Sequence, residues 1–458
     1  MRIEILKEYH LGLRPKQVRC CEVGLKSQSA MLFAFSESEG MDPAEGCIGL
    51  YQYPLKLALY GEKGQQLWEQ TLSMGLIPGV WLAPFIAFDL DGDGIDEIWN
   101  LNNVSEWAPF NARTYILERR NAYTGEVNLQ IPFHAENTEW ERLGHAFRFM
   151  LFAGYVKGEP VLVTSQGTYR EIYLQCYNAD MSVRWSRKIG LEEGSRGSHS
   201  TPVFDMNQDG IDEVLFGEHL ISLDTGRDIL CYDQERYQGH SDVVLPFRDH
   251  KTGKGYIYTC RESGDYDGCP RVVMFDYDGN VIWEDVYSDE WGNYIDDGHM
   301  HYGFVATVKP DYRRVAFARR QREKKKLKEE LLYDALTGEK LPIPFSMSKL
   351  RPIDINGDGY HEYLYWEEGK PTTRVIDADG GDVYYTGGIL IQIGKWYGYP
   401  GEQFMVWYPG EGIVRIWGDI DAFDSEELLK RHTGNFRNFM NKMTGNGYNW
   451  LTSVDCSG

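Results

Sequence analysis

Short apolar runs, long enough for strands and too short for the usual helix, alternate along this chain with polar turns. Eight copies of one signature stand out, a tight turn followed by an apolar or Trp-bearing strand. They are Tyr60–Trp68, Asn121–Val127, Tyr177–Trp185, Leu223–Ile229, Phe275–Trp283, Tyr333–Leu341, Ile376–Asp382 and Tyr408–Trp417. Gly or Asn in these turns supplies the positive φ that a tight hairpin needs. The copies recur roughly every 30 to 60 residues, the spacing of four-stranded propeller blades. A solenoid would show shorter, more uniform periods, and a sandwich would not repeat one turn eight times. The pattern therefore predicts an all-β fold, a single β-propeller of seven or eight four-stranded blades over 1–423. Seven results if the first and last segments jointly close one blade. From Asp424 the pattern changes: Asp424-Ser-Glu-Glu427 resembles a capping box and Glu426–Arg431 a short helix, so 424–458 reads as a tail packed on the propeller.

Three acidic loops interrupt the strands: Asp89–Glu97, Asp205–Glu213 and Asp354–Glu362. Oxygen-bearing side chains fall at every second residue, with Gly letting the backbone turn around an ion. The predicted calcium ligands are Asp89, Asp91, Asp93 and Glu97, then Asp205, Asn207, Asp209 and Glu213, then Asp354, Asn356, Asp358 and Glu362, with the carbonyls of Ile95, Ile211 and Tyr360. An EF-hand would need flanking helices, whereas the first loop is flanked by Trp81–Ala87 and Ile98–Leu101. Ligands drawn from one local segment make each calcium structural; the alternative is three acidic turns without metal.

Charge narrows the partners. The chain carries 69 acidic and 47 basic residues, net −22, which argues against nucleic acid, whose binding relies on a positive face. Aromatics at 14% suit strands and sugar-stacking surfaces. The first ten residues are too charged for a secretory leader, and no apolar run approaches a membrane span, so the expectation is a cytoplasmic protein unless a leader was trimmed. Eight cysteines lack a disulfide-scaffold spacing. Cys260, Cys269, His240 and His250 form a candidate zinc set, although a Cys-x8-Cys spacing is a weak signal. The charge run Arg319–Glu330 reads as a solvated hairpin tip.

In a propeller the innermost strand of every blade starts at one face of the central channel. Residues just before those strands should converge there: His145, His199, His240, His299 and His301, with Trp81 and Arg351 at equivalent places. Tyr169-Arg170 and Arg261-Glu262 each end a predicted second strand. Tyr, Arg and His together are what β-elimination of a uronic acid requires. A cation neutralises the carboxylate, a base removes the weakly acidic C5 proton, and an acid protonates the leaving oxygen.

Gly197-Ser-His-Ser-Thr-Pro-Val-Phe-Asp-Met-Asn-Gln-Asp-Gly-Ile-Asp-Glu213, with Gly239-His-Ser-Asp242 after it and Lys157–Tyr169 and Arg184-Trp185 before it, resembles the β-propeller polysaccharide lyases. These include rhamnogalacturonan, ulvan and rhamnosyl-glucuronate lyases. Ser241 stands where the rhamnogalacturonan type has Gly, and the chain is shorter than that type. The resemblance implies calcium at the three loops and an active face with Tyr169, His199 and His240. The resulting expectation is a lyase on an anionic plant or algal oligosaccharide. His199 or His145 is the base, Tyr169 the acid or alternative base, and Arg170 or Arg261 with a histidine the cationic group; Trp81, His299, His301 and Arg351 bind substrate. A propeller glycoside hydrolase using Asp242, Glu262 or Asp296, and a non-catalytic glycan binder using Trp81 or Trp396, are the alternatives.

Overall fold

The computed structural model describes residues 1–12, 15–41, 51–107, 111–135, 143–262, 272–286, 299–310, 312–322, 327–367 and 369–432. Asp296, Cys269 and the tail beyond His432 lie outside them. Eight four-stranded antiparallel sheets form the eight blades of a propeller. Blades 1 to 7 take consecutive strands from residues 17–71, 85–132, 149–189, 203–231, 241–285, 299–341 and 350–385. Blade 8 takes its three inner strands from residues 389–419 and its outermost from Ile3–His10, which pairs in register from Ile3↔Asp419 to His10↔Ile413. The two ends of the chain thus jointly close one blade, as anticipated, and the ring still counts eight. No helix among the described residues is long and apolar enough to cross a membrane.

Burial follows radius. Second strands such as Gln28–Ser36 and Gly255–Arg261 are apolar and nearly wholly buried, while outer strands such as Val127–Pro132 and Val183–Ile189 alternate toward solvent. Seven of the eight predicted turns join third to fourth strands. The eighth, at Tyr408, joins second to third, because the fourth strand of blade 8 comes from the N-terminus.

The turn signature also locks blades together. Trp68, Trp185 and Trp283, each on an outer strand, donate their indole N–H to the carbonyls of Ala122 (2.7 Å), Leu223 (2.8 Å) and Ala335 (2.8 Å) in the next blade's turn. Gly125, Gly226 and Gly338 lie under those rings with φ near +70°, and a Cβ there would meet the indole within 2.6 Å. Glycine is required both for the turn and for the ring above it.

The acidic loops join first to second strands of blades 2, 4 and 7. The eighth residue of each, Asp96, Asp212 or His361, accepts the backbone N–H of Gly24 (2.5 Å), Tyr155 (2.7 Å) or Thr307 (2.8 Å) on the preceding blade's first strand. Its own amide donates back to the same residue's carbonyl at 2.8–3.0 Å. Because the loops follow the first strands, they lie at the face opposite the residues that precede those strands.

Helix Glu426–Arg431 forms where expected, capped by the Ser425 hydroxyl on the Leu428 amide. The charge run straddles the hairpin between Arg313–Arg322 and Leu327–Asp334, with Arg320 paired to Glu329 at 3.0 Å; its tip lies outside the described residues.

Candidate active site

Blades 3, 4 and 5 bring three connecting segments together at the face where first strands begin. The amide of Arg196 donates to the Gly239 carbonyl (2.8 Å), and Ser241 donates to Gly197 (3.1 Å). The Tyr169 amide donates to the Arg196 carbonyl (2.9 Å), so the turn after blade 3's second strand joins the same network. Gly197 has φ +83°, and a Cβ there would press on the Thr168 hydroxyl at 2.7 Å. Tyr169 itself sits at φ +67°, a left-handed conformation held by these neighbours and typical of functional turns.

The aromatic rings then converge. Tyr169 stacks on His240 with centroids 4.0 Å apart; His199 meets His240 edge-on at 4.6 Å; His145 lies 5.6 Å from Tyr169. Asp242 joins them through a β-bulge. Ser241 pairs with Arg261 and Val243 with Cys260, leaving Asp242 as the extra residue. A bulge re-aims a side chain that regular alternation would place elsewhere. The buried Asp242 carboxylate holds two imidazoles, with Oδ1 3.0 Å from His199 Nε2 and Oδ2 2.5 Å from His299 Nε2. The Tyr169 hydroxyl is 3.3 Å from the same His199 Nε2 and hydrogen-bonds the Glu262 carboxylate.

Each group's protonation follows from its surroundings. Burial, then the Glu262 charge, holds the Tyr169 hydroxyl well above its ordinary value, so it stays a proton donor. Burial and the Asp242 charge push Glu262 up. Burial and the neighbouring His199 hold His240 well below the usual histidine range, hence neutral. Its Nδ1 lies 3.3 Å from the Arg196 carbonyl and 3.0 Å from the Thr168 hydroxyl, which itself donates to that carbonyl. A carbonyl only accepts, so Nδ1 carries the proton and Nε2 keeps a buried lone pair, with no hydrogen-bond partner among the described residues. Ligand atoms of His199, His240 and Asp242, and of Asp242, Glu262 and His299, gather within 4.8 Å in each set, close enough to hold a cation.

Other expected site residues are placed differently. Arg261 is fully buried, paired through Nε with Glu218 (3.1 Å) and through Nη1 with Asp233 (2.8 Å), and stacked over Tyr237. It neutralises two interior carboxylates and is not open to a substrate. Trp81 is wholly buried, with His199 at 5.3 Å and the Arg148 guanidinium at 4.8 Å; it is a floor under the cluster, not a sugar platform. Trp396 is equally buried. Arg351 lies between Tyr302 and Trp366. Arg170 is half-buried beside Tyr169. His301 occupies a second bulge, at the start of blade 6, and its side chain is outside the described residues. Among the described members of the zinc set, His240 and His250 flank opposite ends of Ser241–Arg248, roughly 25 Å apart, and Cys260 contacts the Tyr258 hydroxyl, so these three do not share one site. Arg148, placed under Trp81 and 5.2 Å from Tyr169, carries no motif and was missed in the sequence.

The first acidic loop gathers oxygen as a cation site does. Ligand atoms of Asp89, Asp91 and Asp93 lie within 4.8 Å of one another. Glu97, pushed up to about 7 by burial and Asp91, and Glu213, pushed up to about 8 by burial and Asp205, carry like-charge repulsion that a divalent ion would relieve. Glu362 in the third loop is likewise pushed up to about 8 by burial and Asp354.

No protein-family model matches the chain. Over 282 residues, 49% of this chain and 45% of the relative, it is 27% identical to rhamnogalacturonan exolyase YesX of Bacillus subtilis (strain 168). Over 278 residues, 49% of this chain and 44% of the relative, it is 26% identical to rhamnogalacturonan endolyase YesW of the same organism. Each match thus spans less than half the length of the curated relative. Among solved structures it is similar to exotype rhamnogalacturonan lyase YesX, with TM-score 0.76, 19% identity, and coverage of 94% of this chain and 77% of that one. A rhamnogalacturonan lyase from Bacillus licheniformis gives TM-score 0.69 at 18% identity, covering 94% and 79%. At that identity the structural likeness shows the fold, and the sequence matches bear out the resemblance to the propeller polysaccharide lyases.

Proposed function

We propose that this propeller, a relative of the rhamnogalacturonan lyases, cleaves a pectin-type, uronic-acid-containing polysaccharide by β-elimination. The observation that carries the reading is the Tyr169–His199–Asp242–His299 array, in which one buried carboxylate holds two imidazoles beside a protonated phenol. His199, oriented by Asp242, takes the C5 proton, since an aligned imidazole is the side chain best matched to that transfer near neutral pH. Tyr169, kept protonated by burial and the Glu262 charge, returns a proton to the leaving oxygen. Arg148 supplies positive potential against the uronate carboxylate in a chain of net charge −22. His240 is a positioning residue, supporting the Tyr169 ring from beneath. Calcium in the Asp89–Glu97 and Asp205–Glu213 loops is structural, at the face away from this array.

The hydrolase reading has less support. Asp242 and Glu262 oxygens lie within 4.8 Å, too close for an inverting pair at roughly 6.5–9.5 Å and nearer the roughly 5–5.5 Å of a retaining one, but Asp242 is buried and bonded to His299 rather than presented as a nucleophile. The test is incubation with rhamnogalacturonan backbone, homogalacturonan and ulvan while following ultraviolet absorbance of the unsaturated uronate. Chain cleavage with saturated products would overturn elimination, and no cleavage on the whole panel would overturn the enzyme.

A further inference from the structure

The three acidic loops share one sequence pattern but not one environment. In the first, Asp89 accepts the amides of Gly92 (2.8 Å), Asp93 (3.1 Å) and Gly94 (2.9 Å), while Asp91 and Asp93 face solvent. In the second, Asp205 accepts Asp209 (3.1 Å) and Gly210 (2.8 Å), again at an exposed surface. In the third, Asp354 is fully buried, and the oxygen that accepts the Gly359 amide (2.9 Å) also receives the guanidinium of Arg431. Arg431 ends helix Glu426–Arg431, is itself buried, and rests against His361.

The surroundings agree. The Phe423 and Ser425 amides donate to the carbonyls of Asn356 (3.2 Å) and Gly357 (3.0 Å), so the segment leading into the helix lies directly on the loop. A Cβ at Gly357 would stand 1.6 Å from the Phe423 carbonyl oxygen, whereas one at Gly92 would meet nothing within 4 Å. Charge is also lower. Residues 89–97 hold five carboxylates and 205–213 hold four, but 354–362 hold three, because Asn356 and His361 replace acids. His361 keeps the interblade hydrogen bond of Asp96 and Asp212 without their charge.

From these observations we infer that the third loop is a metal-free copy of the calcium loop, neutralised by Arg431 in place of a divalent ion. The helix is thereby clamped onto blade 7. A guanidinium brings hydrogen-bond donors where an ion requires only oxygen, and Asp354 cannot serve both without expelling the buried arginine. This goes beyond the lyase reading and holds whether or not that reading stands.

The test compares melting temperatures of the full chain, Arg431→Met and Asp354→Asn, each in excess chelator and in excess calcium, with metal analysis of the dialysed proteins. Both variants should melt several degrees below wild type by the same amount in the two buffers. Asp354→Asn should leave bound calcium unchanged, while Asp89→Asn lowers it by one ion per chain. A deficit that disappears in chelator, or loss of one calcium in Asp354→Asn, overturns the inference. If Arg431→Met fails to fold, Asp354→Asn gives the same readings. Wild type binding no calcium would refute the metal reading of the first two loops, and the chelator melts would then decide the third.

Discussion

Asp242→Asn isolates the element on which the proposed chemistry turns. The carboxylate's side chain is 3% exposed; its Oδ2 hydrogen-bonds His299 at 2.5 Å and its Oδ1 lies 3.0 Å from His199 Nε2, so both contacts are shielded from water and the first is a charge-assisted bond. Asparagine has nearly the same shape. It keeps one acceptor oxygen but turns an NH2 against the other imidazole, forcing one ring into the wrong tautomer. A hydrogen bond to a charged group contributes about 1.5–3 kcal/mol. A misaligned proton acceptor costs about 10²- to 10⁴-fold in rate, or about 2.7–5.4 kcal/mol at ~1.36 kcal/mol per decade. The expected outcome is a fall in kcat of about 10²- to 10⁴-fold with KM little changed, because Asp242 meets the substrate only through the histidines. The assay is initial-rate ultraviolet absorbance of unsaturated product on rhamnogalacturonan, with a melting curve to show that the fold persists. Activity within an order of magnitude of wild type, on a protein of unaltered melting temperature, would refute the array.

Tyr169→Phe removes the hydroxyl but keeps the stack on His240, so kcat should fall by about 10² or more with little change in melting temperature; unchanged kcat would remove Tyr169 from proton transfer. Arg261→Met strands the buried Glu218 carboxylate and should cost about 3–5 kcal/mol of stability, seen in denaturant unfolding, while the folded fraction keeps its specific activity. His219 is buried between the Ser195 carbonyl (3.0 Å) and Asp228 (3.1 Å); burial opposes its charge, but the bonds to Asp228 and Cys231 push it up to about 10. Its folded value lies above the ordinary ~6.5, so the contribution is complete below that pH and is lost as pH rises through about 10. The melting gap between wild type and His219→Gln should accordingly be widest in mild acid and close in strong alkali. Calcium removal should lower the melting temperature while leaving kcat of the still-folded protein unchanged, since the loops and the histidines occupy opposite faces; loss of activity without loss of fold would place a metal in the chemistry.

Turn chemistry and strand alternation are local, and whatever depends on them was legible in the chain. The Gly- and Asn-bearing turns and their spacing specified four-stranded blades, and the acidic loops marked where first strands pass into second ones. Once the ring is granted, residues before its first strands must share a face, which brought His145, His199 and His240 together with Tyr169. Tertiary structure decided the rest, because orientation at a strand end depends on register and on neighbours far away in sequence. The bulge at Asp242 turned a carboxylate read only as a hydrolase candidate into the bridge between two histidines, while the regular strand beside it aimed Arg261 inward at Glu218. Trp81 is covered by Arg148 from another blade, and Arg431 reaches Asp354 across 77 positions of sequence. Ring closure adds Ile3–His10 to the last blade. A one-residue change of register or a distant counter-charge leaves no periodic trace, so these choices appear only when the blades are packed.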